Sequence, residues 1–102
     1  MRGKGLHMVT FTVRMTFHAE DRQEITEALR KLAEASRQEP GCVTYIPHSV
    51  QGDSDTVLIY EQYRDDAAAE AHRQSEHFRK YAVGCLYQRM RDRAREDLVA
   101  LI

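Results

Sequence analysis

Two histidines in one short segment are the most chemically suggestive feature of the chain: His72 and His77, in E-A-H-R-Q-S-E-H-F from Glu70 to Phe78. An imidazole with an ordinary pKa of about 6.5 is mostly neutral at physiological pH yet accepts a proton readily, so a histidine facing an apolar pocket suits general-base work. His72 is the first candidate. For both residues the plainer alternative is an exposed or cap-forming histidine near a helix junction. A base that creates an anion needs a cation or donor beside that anion, and Arg14 would supply one if its strand face lined the pocket. Tyr60, Tyr63 and Phe78 could stack on a flat substrate, although aromatics on strands and helical stripes are more often core. His18 and His48 read as surface residues.

No metal site is expected. The five histidines are scattered, and His72 and His77, five apart, do not share one face of a continuous helix; a bend at Ser75 would change that. The two cysteines, Cys42 and Cys85, lack the paired spacing of a zinc or redox motif and read as small buried hydrophobes in a reducing compartment, the cytoplasm.

The elements that must hold these residues follow from periodicity. Val9, Phe11, Val13, Met15 and Phe17 alternate with Thr10, Thr12, Arg14 and Thr16, the pattern of a half-buried strand. Asp21 and Glu24 resemble a capping box, after which Ile25, Ala28, Leu29, Leu32 and Ser36 fall on one helical face. Pro40 and Gly41 end that helix near Gln38. Cys42 to Val50 is strand-like, with Pro47 assigning it to a sheet edge. A polar turn from Gln51 to Asp55 leads to Thr56–Tyr63, whose apolar start predicts a strand covered on both sides. Asp65 or Asp66 caps a short helix to about Arg73, and Ser75 caps another with a stripe of Phe78, Tyr81, Ala82, Cys85 and Leu86. Arg89 to Asp97 reads as a solvated helix end, and Leu98 to Ile102 as a last strand that would need a partner. The order is βαββαβ, a ferredoxin-like α+β fold with a four-stranded antiparallel sheet. Residues 1–7 read as a disordered extension and 8–102 as a single domain.

Composition excludes several functions. With 15 basic and 16 acidic residues the chain carries a formal charge of −1, so no global field attracts nucleic acid or anionic membrane. No apolar run approaches the roughly 20 residues that cross a bilayer, and the N-terminus lacks the apolar core of a signal peptide. An RNA-recognition module shares the βαββαβ order, but its third strand should carry a basic-glycine-aromatic signature where this chain reads T-V-L-I-Y-E-Q-Y.

Three segments, E-P-G-C-V-T-Y from Glu39, L-I-Y-E-Q-Y-R-D from Leu58 and the Glu70–Phe78 stretch, together resemble the antibiotic-biosynthesis monooxygenase-like proteins from about Val9 to Tyr81. The resemblance implies a homodimeric α+β barrel with a pocket between each sheet and its helices. It also implies oxidation of a small aromatic or quinol-like substrate by dioxygen without metal or flavin cofactors. On that reading His72 and Arg14 are catalytic, and Thr12, Tyr60, Tyr63, Ala68, His77 and Phe78 contact substrate. Haem-degrading relatives place asparagine, tryptophan and histidine where this chain has Thr12, His72 and Ala82, so haem degradation is not implied. Polyketide-oxidising relatives place asparagine, tryptophan and tyrosine where it has Ala68, His72 and Phe78. Isomerisation of a small metabolite, or non-catalytic binding by a dimer, are the alternatives on the same scaffold.

Overall fold

The computed structural model describes residues 7–102; of the expected N-terminal extension, all but His7 lies outside the described residues. Strand β1, Val9–Thr16, buries Phe11, Val13 and Met15 and turns Thr12 and Arg14 the other way, the pleat keeping the alternation that the sequence displays. Helix α1, Arg22–Ser36, buries Ile25, Ala28, Leu29, Leu32, Ala33 and Ser36. Its N-cap, Asp21, makes no side-chain capping bond and instead accepts from Arg89 at 3.3 Å. Strands β2, Cys42–Val50, and β3, Asp53–Tyr63, form a hairpin whose turn uses Gly52 at φ +85°, a conformation that disfavours a Cβ.

Helix α2, Asp66–Arg73, begins at Asp65, whose carboxylate accepts from the Ala68 N–H at 2.9 Å. Helix α3 is π-helical over Phe78–Leu86 and closes with an α-helical turn, Tyr87–Arg89. Strand β4, Asp92–Leu98, completes an antiparallel sheet in the order β2-β3-β1-β4. This is the ferredoxin-like α+β arrangement, with Pro47 on edge strand β2 as its missing donor requires. All three helices pack on the same side, where β1 and β3 supply Phe11, Val13, Met15, Ile59 and Tyr63 to the core.

One expectation about strands needs correction. The last strand is the charged stretch Asp92–Leu98, whereas Val99 to Ile102 continue beyond it and are exposed. Every residue of β4 is exposed, so no apolar alternation announces it. It is held by its ladder to β1 and by arginine side chains that cover the edge of the core: Arg95 lies over the Phe11 ring at 3.8 Å and Arg93 over Tyr87 at 5.7 Å. Among the described residues strand β3 is covered on its helix side, and Leu58 and Tyr60 stand half-buried on the open face, where the sequence reading expects a partner.

Candidate active site

His72 sits in the last turn of α2, 3% exposed, with the rings of Tyr63, Phe78 and Tyr45 at centroid distances of 5.1, 5.2 and 5.6 Å. Its depth depends on Gly41. A Cβ there would fall 2.3 Å from the Ala68 Cβ, so only glycine lets α2 approach this closely. The burial corrects the picture of His72 as an exposed or cap-forming residue.

The bend between α2 and α3 is made at Ser75, whose hydroxyl donates to the His72 carbonyl at 2.7 Å and accepts from the Phe78 N–H at 3.2 Å. One side chain thus ends one helix and starts the next. The bend brings two histidines five residues apart onto the same acceptor: His72 Nδ1 lies 2.9 Å from Glu39 Oε2, and His77 Nε2 bonds to the same oxygen. Glu39 is presented by the loop after α1, where its N–H bonds to the Ser36 carbonyl at 3.0 Å.

On the other side of the His72 ring, Nε2 lies 3.8 Å from Glu61 Oε1, and the Tyr63 hydroxyl donates to that oxygen at 2.7 Å. Glu61 is only 5% exposed. The two carboxyl groups respond differently to their surroundings. Burial would raise the Glu39 carboxyl, but the hydrogen bonds and charges of His72 and His77 outweigh it and hold Glu39 below the ordinary carboxylate range. Burial raises Glu61, and the Tyr63 hydroxyl bond and the charges of His72, Arg95 and Arg93 only partly counter it. The Tyr63 and Tyr45 phenols are pushed up, first by burial and then by the charge of Glu61, so both stay protonated.

In the tautomer in which neutral His72 donates its Nδ1–H to the Glu39 carboxylate, Nε2 faces Glu61 and a cavity of about 60 Å³. That cavity runs among Phe11, Tyr45, Tyr63 and Phe78 and reaches Arg93 and Arg95 on β4. It has room for about two water molecules, each of which occupies roughly 30 Å³ in the liquid. Glu39, His72 and His77 are also the one group of potential metal-binding side chains whose donor atoms converge, within 4.8 Å, among the described residues. In this structure the contacts within the trio are hydrogen bonds.

A family model described as antibiotic biosynthesis monooxygenase matches residues 8–83. The chain belongs to the antibiotic biosynthesis monooxygenase family. Solved structures agree. Protein PA3566 of Pseudomonas aeruginosa is 30% identical, with 98% of this chain and 100% of that one covered and a TM-score of 0.87. A structure described as an antibiotic biosynthesis monooxygenase is 25% identical, with coverage of 92% and 99% and a TM-score of 0.85. Rv0793 of Mycobacterium tuberculosis shares the fold at 24% identity, with coverage of 94% and 97% and a TM-score of 0.84. No curated protein sequence matches the chain.

The residues singled out in this family member divide between the two faces of the sheet. His72, His77, Tyr63 and Phe78 gather on the helix-covered face. Thr12, Arg14 and Tyr60 line the open face instead, because Val13, Met15, Ile59 and Glu61 occupy the inward positions of the same strands. Arg14 therefore does not share a pocket with His72, and the cations at the cavity are Arg93 and Arg95. Ala68 packs toward Gly41 and does not line the cavity. Glu39, Glu61, Tyr45 and the β4 arginines were missed. Glu61 carried a signal: a carboxylate between Ile59 and Tyr63 stands at an inward position of an alternating strand. For Glu39, which reaches its partners 33 and 38 residues away in sequence, periodicity offered none. Burial, followed by the charges of Glu39 and Glu61, pushes the Cys42 thiol up to about 11, which removes it as a nucleophile near neutral pH.

Proposed function

We propose that the protein is a monooxygenase that oxidises a small aromatic or quinol-like molecule with dioxygen, using no metal or flavin. His72 is its base and Glu39 its positioning residue. One observation carries the reading: the half-buried Glu39 carboxylate holds His72 by Nδ1 and leaves Nε2 toward the cavity. A phenol or an activated ring carbon presented there loses its proton to Nε2. The substrate anion then passes an electron to dioxygen, and a buried, apolar surrounding strengthens every charge interaction involved. Glu39 stabilises the imidazolium that forms, as an orienting carboxylate does in hydrolytic triads.

A ring does not fit into about 60 Å³, so substrate enters where β4 borders the cavity, by displacement of Arg93 and Arg95. Both guanidinium groups then stand beside the substrate anion. The test is dioxygen uptake with a panel of hydroquinones and anthrones. Wild type should consume dioxygen with at least one of them, and His72→Ala should lose the uptake. A wild-type protein inert to the whole panel would sink the reading.

We also propose a homodimer formed through the open sheet face. In support, Ile46 is 41% exposed there, beside half-buried Leu58 and Tyr60, and Val99, Leu101 and Ile102 are exposed nearby in sequence to edge strand β4. Light scattering should give twice the mass of the chain, and Leu58→Asp should give the single-chain mass.

A further inference from the structure

The mechanism above leaves one buried acid unused. Glu61 faces His72 across the cavity, and its one ion-pair contact among the described residues is that histidine, at 3.8 Å. The groups that face it come from every neighbouring element. Tyr63 lies on its own strand, Tyr45 on β2, His72 on α2 with Glu39 behind it, Tyr87 at the end of α3 across the same cavity, and Arg93 and Arg95 on β4. On β1 the register places neutral Phe11 opposite it. A purely structural carboxylate in such a place would be expected to hold a close arginine, but Arg95 is bonded to Asp97 at 2.8 Å and stacked on Phe11. Burial favours the uncharged acid over the pull of those arginines.

Resting on the monooxygenase reading, we propose that Glu61 is a second catalytic residue of this pocket, a carboxylic acid that protonates the leaving oxygen while His72 takes protons from carbon. For an anthrone-type substrate, an activated CH₂ loses one proton to His72 Nε2. The carbanion is oxidised by dioxygen with formation of a C–O bond, and His72 returns its proton to the distal oxygen, giving a hydroperoxide. His72 then removes the second C–H proton. That electron pair forms the C=O bond, the O–O bond breaks, and the departing hydroxide takes its proton from Glu61 and leaves as water. The carbon loses four electrons and dioxygen gains four. A proton passing from His72 to Glu61, directly or through one water in the 3.8 Å gap, restores the starting state.

Glu61→Gln keeps the size of the side chain and an acceptor for Tyr63 but removes the proton it would donate. In a single turnover with an anthrone, this variant should keep the rate of dioxygen uptake within a few-fold of wild type. Its ketone formation should fall by about 10²-fold, a usual effect of losing an acid catalyst, with titratable peroxide accumulating. An equal loss of uptake and ketone, or no loss of either, would overturn the proposal. A second measurement needs no turnover. Infrared spectra of wild type at neutral pH should contain a protonated-carboxyl carbonyl band that moves on carbon-13 glutamate labelling and is missing in Glu61→Gln. Its absence from wild type overturns the role of Glu61 even if the monooxygenase reading stands. Its presence in a protein inert to every anthrone sustains the buried acid while the monooxygenase reading fails. Labelled wild type alone decides this point should Glu61→Gln not fold.

Discussion

On the helix-covered face of the sheet, Glu61 and His72 are 5% and 3% exposed and meet other polar groups at fixed distances. On the open face, Thr12 and exposed Arg14 lie among Ile46, Leu58 and Tyr60. Similar residue types therefore have different consequences. A charge in water is screened and weakly coupled to its neighbours, whereas one held in the interior must be paired, neutralised or used. The helix-covered face brings its titratable groups into mutual contact, and the open face leaves its apolar and charged side chains toward solvent.

The largest test of this contrast is kinetic. His72→Ala should lower dioxygen uptake by at least about 10²-fold, the usual range for a general base, whereas Arg14→Ala should stay within about two-fold. A greater loss from Arg14→Ala would move the site to the open face. Glu39→Gln should fall between them and should shift the pH–rate profile, because it removes the charge that favours the imidazolium.

Backbone spacing gives the next largest effect. Gly41→Ala forces a Cβ against Ala68 and should destabilise the fold by about 1–3 kcal/mol in urea titrations, as overpacking does. Activity should fall with it, because α2 carries His72. Thr12 lies on the face that the proposed homodimer covers, so Thr12→Ala should destabilise the protein, and a change below about 0.5 kcal/mol would show that face free of partner contacts. A larger, concentration-dependent loss would show that the open face is covered in solution.

The smallest expected effect is the pH dependence of stability. Glu61 has a folded pKa above its unfolded value, so the unfolded chain releases this proton first as pH rises. Stability is lost between an unfolded carboxylate value of about 4.3 and the raised folded value, then levels off. Glu61→Gln should therefore gain on wild type across that window in thermal melts. Glu39 has the opposite sign. Its depressed folded pKa gives stability that is present above the unfolded value and lost as pH falls through the folded one. In Glu39→Gln the acid-side loss should be weaker than in wild type.

Much of the fold was legible because its signals are local. Alternation from Val9 to Phe17, the apolar stripe from Ile25 to Ser36 and the edge-strand proline at Pro47 each report a single element facing a single environment. Strand β4 was not legible, because an edge strand held by main-chain bonds and arginine stems needs no apolar period. His72 and His77 were visible by type, yet their meeting point depended on the bend at Ser75 and on a glutamate more than 30 residues earlier in the chain.

By itself the sequence determined which β1 positions face inward, which face of α1 is buried, and that three segments at family spacing belong together; the first two rest on short-range sterics and solvent preference. Only the tertiary structure decided that Arg14 and His72 lie on opposite sides of one sheet, and that Glu39 and Glu61 lie on either side of one imidazole. Those placements depend on how distant elements pack, and desolvation acts on a carboxyl group only after that packing has closed around it.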